Sequence, residues 1–330
     1  MGNSGKKSSI QVDFFDRIKK SLPANQSLVH VVSDLLGVCD DAVYRRIRGE
    51  SLLDIDEIFK LSRHFQISLD SLAGVTNNQI QCELVPLEYK NPKSYLPSVQ
   101  DLAVFVDRIR LMPESEIIMP AADVPIPNLY LYPELTFFLL FSWNKSVCGL
   151  QDDYEKFVNG LNITELRKCY AQITEGYQLI PSTEIWTDYT IESLLRLLRY
   201  HYEMGHFSEI KNPLLLCNQL LELMNTLENW AVKGTKGPDN AAFRLYFSEI
   251  DIGNTLIFFK NAEISNCFFR LFICNGLRFS DERFCRDIEH WLQNLVQRST
   301  LISGSSEKER RKFFNGQRQK IEFLMDQIKN

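Results

Sequence analysis

The stretch 27–49, SLVHVVSDLLGVCDDAVYRRIRG, most constrains the fold of this chain. Its first half places apolar residues at helical spacing, namely Val29, Val32, Leu35 and Leu36. Gly37 interrupts this pattern, and glycine readily adopts the left-handed conformation that commonly ends a helix, because it has no Cβ atom. Val43 and Ile47, four residues apart, then give a second helix one apolar side. The pattern predicts two short, packed helices joined by a tight turn.

The other side of the second helix is polar. It carries Asp40, Asp41, Tyr44, Arg45 and Arg48, and the helix is expected to end at Gly49. Asp40 stands where a short side chain can cap free backbone N–H groups. A helix of about three turns that carries arginines and is braced by a neighbour fits the major groove of duplex DNA. The pattern therefore favours DNA binding.

This stretch resembles the helix-turn-helix of the Cro and lambda-repressor-like family, also called the XRE type. The resemblance rests on Ser33 where the two helices cross, on Leu36-Gly37-Val38 at the turn, and on Val43 and Gly49. It extends over residues 10–75, under a quarter of the chain. The resemblance implies a five-helix domain that binds double-stranded DNA as a homodimer, with two half-sites about one helical turn apart.

The family also implies which residues contact DNA. The second helix would dock in the major groove with five residues at base edges or phosphates: Asp41, Tyr44, Arg45, Arg46 and Arg48. The family usually has an aliphatic residue where this chain has Arg46, so we expect Ile47 to take the packing role. This departure leaves open how the second helix is rotated and which arginine faces the groove.

The segment after the second helix is similar to the continuation of the same family. Asp54 and Glu57 have the spacing of a capping pair at a helix start. The predicted apolar set of this segment is Ile55, Ile58, Phe59, Leu61, Phe65, Ile67, Leu69 and Leu72. A helix-turn-helix followed at this distance by a capped helix is a more specific pattern than a helix-turn-helix alone.

Charge provides a counterargument. Residues 1–75 contain ten Lys and Arg against ten Asp and Glu, so the segment has no net positive field to attract phosphate. The affinity for DNA would therefore have to depend on the placement of individual arginines and on the avidity of a dimer. The neutral balance equally suits two alternatives, a plain helical bundle and a scaffold that binds a partner protein and no DNA.

Residues 76–98 are rich in Asn, Gln and Pro and are predicted to be a linker. The remainder, 99–330, is predicted to be a helix-rich effector or dimerisation domain. Its helices are expected at 99–111, 134–147, 164–175, 190–204, 213–232, 281–297 and 306–327, with a short strand at 116–119. Alternating apolar residues predict an antiparallel β-meander near 243–273, with a hairpin turn at Gly253-Asn254.

Motifs of enzymes are absent from the sequence. It has no phosphate loop, no G-x-G-x-x-G, no G-x-S-x-G and no H-E-x-x-H. We therefore expect no catalytic residues, no metal and no cofactor, and a cryptic enzyme is the least favoured alternative. The eight cysteines contain no C-x-x-C pair, which is typical of free thiols in a reducing cytoplasm.

The most apolar run, 135–143, is too short to cross a bilayer and is predicted to be a core helix, so no membrane association is expected. The 22 phenylalanines could line a pocket for an apolar ligand, and they fit an ordinary core equally well. The expected fold is mainly α, with a five-helix lambda-repressor-like domain followed by a helix-rich α+β domain that has a small antiparallel sheet. The expected function is that of a cytoplasmic, sequence-specific transcriptional regulator with a sensing or oligomerisation region.

Overall fold

The computed structural model describes residues 10–22, 26–65, 67, 69, 80–85, 95–271 and 274–330. The chain divides into two compact units, Met1–Gln79 and Ile80–Asn330. Each unit has its own apolar core, so each is described by itself.

Four helices form the described part of the first unit: α1 (Ile10–Ser21), α2 (Leu28–Leu36), α3 (Asp40–Ile47) and α4 (Ile55–Phe65). One apolar cluster joins all four helices, with Phe15, Val32, Val43 and Leu61 at 1% exposure or less. The expected fifth helix and Leu72 lie outside the described residues.

The turn between α2 and α3 has the geometry that the sequence predicts. Gly37 has a φ of 67°, and its N–H donates to the carbonyl oxygen of Ser33 at 2.8 Å. The capping pair of α4 is also confirmed, because Asp54 Oδ1 accepts from the Glu57 N–H and Glu57 Oε2 accepts from the Asp54 N–H. The prediction for Asp40 was wrong: α3 begins at Asp40 itself, and no side chain caps it.

The second unit alternates helices and strands. Its helices are α5 (Tyr95–Ile109), α6 (Ile126–Leu129), α7 (Pro133–Val147), α8 (Tyr154–Asn159), α9 (Ile163–Leu179), α10 (Glu192–Glu203), α11 (Lys211–Lys233), α12 (Glu282–Gln297) and α13 (Glu307–Lys329). Its strands are β1 (Glu83–Val85), β2 (Glu116–Ala121), β3 (Ser182–Trp186), β4 (Thr235–Lys236), β5 (Ala241–Phe247), β6 (Leu256–Lys260), β7 (Ser265–Leu271), β8 (Asn275–Phe279) and β9 (Thr300–Leu301). The last four residues of the predicted linker, 95–98, belong to α5.

The fold class expected from the sequence was wrong. Within the described residues, nine strands form one mixed sheet in the order β1-β8-β7-β6-β2-β3-β5-β4, with β9 paired to β5. The pairs β2/β3 and β3/β5 are parallel, and helices form the crossovers between these strands. The protein therefore has a substantial α/β unit. The sequence pattern did not indicate this, because the parallel strands pair residues that lie more than 50 positions apart in the chain.

The predicted meander was also wrong in its first strand. Strands β6, β7 and β8 are consecutive antiparallel neighbours, whereas β5 pairs with β3 and not with β6. Gly253-Asn254 is thus a connection between two separated strands and not a hairpin turn. Alternation along β5 correctly indicates its buried side, but alternation carries no information about the neighbouring strand.

Helices cover both faces of the sheet. Helix α12 covers one face, where Leu292 packs in a cluster with Ile185 and Phe258. The larger helical layer covers the other face and contains α7, whose residues 135–144 are all buried, as the apolar run predicts. The leucine stripe of α11 at 216, 220, 223 and 227 is likewise buried in this core. None of the helices in the described ranges is both long and apolar enough to cross a membrane.

A polar cluster is buried at the centre of the parallel strands. Glu184 of β3 accepts hydrogen bonds from Tyr177 Oη, Trp186 Nε1 and Asn128 Nδ2 at 2.5, 2.7 and 2.9 Å. Lys236 of β4 donates to Ser182 Oγ at 2.7 Å, and its Nζ lies 3.1 Å from the centre of the Tyr177 ring.

Burial shifts the pKa values of the two ionisable side chains in this cluster, Glu184 and Lys236. It raises the pKa of the Glu184 carboxyl and lowers the pKa of the Lys236 amine, because both charged forms lose water. The three donors around Glu184 and the charge of Lys236 oppose the rise in the pKa of Glu184, and the charge of Glu184 opposes the fall in the pKa of Lys236.

Candidate nucleic-acid interface

One side chain of α1 fixes the end of α3. Gln11 Nε2 donates to the carbonyl oxygens of Arg46 and Ser51 at 2.7 and 2.8 Å, and its Oε1 accepts from the Leu53 N–H at 2.9 Å. These bonds connect α1 to the end of α3 and to the segment after it, and they give the Arg46 carbonyl a second donor besides the Gly49 N–H. No local pattern in the sequence indicates this role, since Gln11 lies 35 residues from Arg46.

Arg46 joins α3 to α4. Its guanidinium donates to both carboxylate oxygens of Glu57, at 2.7 and 3.2 Å, and to the carbonyl oxygen of Ala42 at 3.3 Å. The two charged side chains are only 16% and 13% exposed. A bidentate pair of this kind is among the stronger ion pairs in proteins. Its placement gives Arg46 a role inside the domain, and Arg46 is less accessible than the other four predicted DNA contacts.

The other four predicted contact residues share the exposed side of α3. Asp41, Tyr44, Arg45 and Arg48 are all exposed, and Tyr44 is 49% exposed. We call these four residues the α3 surface. Val43 is buried on the opposite side of the helix, so the rotation of α3 follows the apolar pattern of the sequence.

The two arginines of the α3 surface differ in their surroundings. Arg48 donates to both carboxylate oxygens of Glu50, at 2.8 and 3.1 Å, and this bond raises the pKa of Arg48. The Arg45 side chain forms no hydrogen bond or ion pair with any residue that the structure describes. Arg45 is therefore the arginine that can approach a ligand without first leaving a carboxylate.

The acidic residues of α3 limit how an anion can approach it. Asp40 and Asp41 occupy the first turn, where they interact favourably with the helix dipole and repel phosphate. Tyr44, Arg45 and Arg48 lie one to two turns further on. A nucleic acid would therefore contact the second half of α3.

An apolar patch lies next to the capping pair of α4. Leu52, Ile55 and Phe59 are 78%, 69% and 58% exposed. Within the predicted apolar set of this segment, Ile58 and Leu61 pack in the core of the first unit, whereas Ile55 and Phe59 are exposed. The side of α4 that carries Ile55 and Phe59 is available to a partner.

A second candidate site is a cavity of about 410 Å³ in the downstream unit. It lies between α5 and the sheet strands β1, β8, β7 and β6, and we call it the α5 cavity. Aromatic side chains form much of its wall, including Phe105, Phe259 and Phe268. The phenylalanine content of the sequence was equally compatible with a pocket and with an ordinary core.

Two ion pairs border the α5 cavity. Arg270 pairs with Asp123, whose carboxylate also accepts from Thr255 Oγ1. Arg278 of β8 pairs with Glu83 of β1. Asp123 lies two residues after the carboxyl end of β2, and the carboxyl ends of parallel strands are a frequent location for ligands. The sequence did not single out any of these residues.

The histidines and cysteines do not form a further site. His201 Nδ1 and His206 Nδ1 are 2.8 Å apart, and His201 Nε2 contacts Ser142 Oγ at 3.0 Å. Burial, followed by the neighbouring His206, lowers the pKa of His201 to about 4. Burial raises the pKa of the buried cysteine thiols, to about 12 for Cys217, which favours the unreactive thiol form.

No protein-family model, no curated protein and no solved structure matches this chain. Its function must therefore be inferred from the α3 surface and the α5 cavity.

Proposed function

We propose that this protein is a cytoplasmic, sequence-specific regulator of transcription that binds double-stranded DNA through the α3 surface. One observation carries the proposal: a short helix, braced by α2 and by Gln11, presents Tyr44, Arg45 and Arg48 together on its exposed side. Arginine recognises guanine by two hydrogen bonds in the major groove, and tyrosine hydroxyls commonly contact phosphate.

The proposal includes a homodimer and an effector. One α3 helix covers only about half of a typical operator, so two copies would read two half-sites about one helical turn apart. Dimerisation would also compensate for the neutral charge balance of the first unit. The α5 cavity would hold the effector, because it is the size of a small-molecule site and lies outside the DNA-binding unit.

Selection of binding sites from a random duplex pool, at two salt concentrations, tests the proposal. A palindromic motif supports both DNA recognition and the dimer. Arg45→Ala should then weaken binding to the selected site by about 1–3 kcal/mol if Arg45 contacts a base. Arg63→Ala, which removes an exposed arginine of α4 outside the α3 surface, is the matched control and should change affinity less. Equal affinity of wild type and Arg45→Ala would remove Arg45 from the interface.

The apolar patch on α4 favours a second candidate function, a scaffold that binds a partner protein without DNA. Exposed apolar groups that lie together are typical of protein-binding surfaces. In this case Phe59→Ser should abolish capture of the partner, and nuclease treatment should leave capture unchanged. Recovery of a palindromic motif, with loss of binding in Arg45→Ala, would decide against the scaffold.

A further inference from the structure

We infer that the α5 cavity binds an uncharged small molecule that is largely hydrocarbon and has one polar end. This inference deepens the proposed effector role. Only the regulatory consequence of binding rests on the proposed function, because a ligand can bind the cavity whether or not the chain binds DNA.

The wall of the cavity requires an apolar ligand. Phe105 of α5 contacts Phe268 of β7 and Phe259 of β6, with ring centres 5.5 and 6.3 Å apart. Ile117 and Ile173 continue this surface toward the core. A cavity of about 410 Å³ with such a lining holds water poorly, since water there would lack hydrogen-bond partners. A hydrocarbon group would gain dispersion contacts with the wall.

The charges at the cavity indicate that the ligand is uncharged. Of the charged residues that line it, Arg270 is paired with Asp123 and Arg278 with Glu83, whereas Asp101 is exposed on α5. An anionic ligand would have to displace Asp123 or Glu83 and would leave that carboxylate without its partner. A charged ligand would also lose its hydration on entering the apolar interior. An uncharged ligand incurs neither cost.

The polar end of the ligand is assigned to the region of Arg270. Thr255 and Asn275 line the cavity together with Arg270, but Thr255 Oγ1 donates to Asp123 and Asn275 Oδ1 accepts from Trp143 Nε1. The guanidinium of Arg270, which carries five N–H donors, is therefore the group assigned to a carbonyl or hydroxyl oxygen of the ligand. The opposite region, near Ile109 and Tyr177, is largely apolar. The ligand would therefore lie with its hydrocarbon part toward Ile109 and its oxygen toward Arg270.

One glycine keeps the cavity open. Gly276 of β8 lies directly opposite Arg270 in the sheet register, and the two residues therefore share a face of the sheet. A Cβ atom at Gly276 would have one heavy atom within 4 Å, the Phe269 carbonyl oxygen at 3.4 Å, which is an ordinary contact. A side chain at this position would thus fit the strand and occupy the cavity.

Fluorescent probe binding to the full chain tests the inference. N-phenyl-1-naphthylamine is uncharged, and 8-anilino-1-naphthalenesulfonate is a similar molecule that carries a sulfonate. We expect the uncharged probe to bind the wild type and to raise its unfolding temperature by mass action. Gly276→Leu should weaken this binding by about tenfold or more, a loss of ~1.4 kcal/mol. Gly276→Ala should weaken it less, since it adds one methyl group.

Gly253→Leu is the matched control, because Gly253 is exposed, does not line the cavity and has no heavy atom within 4 Å of an added Cβ. It should bind the probe as the wild type does. The inference is overturned if the uncharged probe does not bind the wild type. It is also overturned if the wild type, Gly276→Ala and Gly276→Leu bind this probe equally well. Binding of the sulfonate probe alone overturns the assignment of an uncharged ligand. None of these results depends on DNA, so a failure of the proposed function is detected separately.

Discussion

Replacement of Lys236 by methionine should destabilise the downstream unit strongly and in a pH-dependent way. Lys236 is 1% exposed and Glu184 is 0% exposed, so removal of the ammonium leaves a buried carboxylate without its compensating charge. Removal of one partner of a direct buried ion pair typically costs 3–5 kcal/mol. Lys236 and Glu184 are connected through Ser182 and Tyr177 and not by a direct ion pair, so we expect a loss of about 3 kcal/mol at most. Methionine has nearly the volume of lysine, so no large cavity adds to this loss.

The pH dependence follows from the burial of Glu184. Burial already raises the pKa of Glu184 above its unfolded value in the wild type, and loss of the Lys236 charge, which lowers this pKa, should raise it further. The folded state then binds a proton more tightly than the unfolded state. The stability of the variant relative to wild type should therefore increase as the pH falls through the raised pKa, by about 1.4 kcal/mol per pH unit at most. The loss should be larger at pH 8 than at pH 5.

Urea unfolding followed by tryptophan fluorescence measures this effect in the intact chain. All four tryptophans, 143, 186, 230 and 291, lie in the downstream unit, so the signal reports on that unit alone. The variant Glu184→Gln with Lys236→Met is the decisive control. A glutamine can accept from Asn128 and Trp186 and donate to Tyr177 Oη, so the double variant should recover most of the lost stability. If Lys236→Met is as stable as wild type, or the double variant is no better than the single one, the reasoning is refuted.

Two further predictions concern Gln11 and His201. Gln11→Ala should weaken the bracing of α3 by roughly 1–3 kcal/mol, because backbone groups at 46–53 lose their partners. Hydrogen exchange at residues 46–53 should then accelerate in Gln11→Ala and should not accelerate in the exposed control Asp16→Ala. Unchanged exchange in Gln11→Ala would show that Gln11 does not hold the end of α3. The pKa of His201 is lowered from 6.5 to about 4, because the folded chain disfavours the protonated imidazole. The stability that the neutral His201 contributes is therefore complete above pH 6.5 and declines as the pH falls toward 4. Urea midpoints from pH 7.5 to 4.5 should fall less steeply in His201→Phe than in wild type, and equal slopes would contradict the assignment.

Sequence reasoning succeeded where the structure is decided by neighbours along the chain. Gly37 ends α2 because only its own backbone conformation is required, and the Asp54 and Glu57 pair begins α4 because both partners lie within one turn. The run 135–143 became a buried helix because it is apolar on every side. Each of these features could be predicted from spacing and residue type alone.

Sequence reasoning failed where the pairing of distant segments decides the result. Strand β3, STEIW, has a glutamate at its centre and was not predicted, because its environment depends on Lys236, which is 52 positions away in the sequence. Strand β5 was assigned to the wrong neighbour, since period-two alternation indicates a face and not a partner. As a consequence, the fold class predicted from the sequence was mainly α, whereas the structure is α/β.

The α3 surface likewise combines features that neighbours along the chain decide with features that distant contacts decide. The amino-acid sequence by itself determined the α2–α3 turn, through Gly37, and the apolar side of α3, through Val43 and Ile47. Only the tertiary structure decided that Arg46 pairs with Glu57 while the Arg45 side chain extends from the surface, and that Gln11 holds the end of α3. The α5 cavity likewise exists only in the folded chain, because its wall combines α5 with strands that follow it by 147 residues or more. Contacts over such distances depend on how the whole unit packs, and no local pattern encodes them.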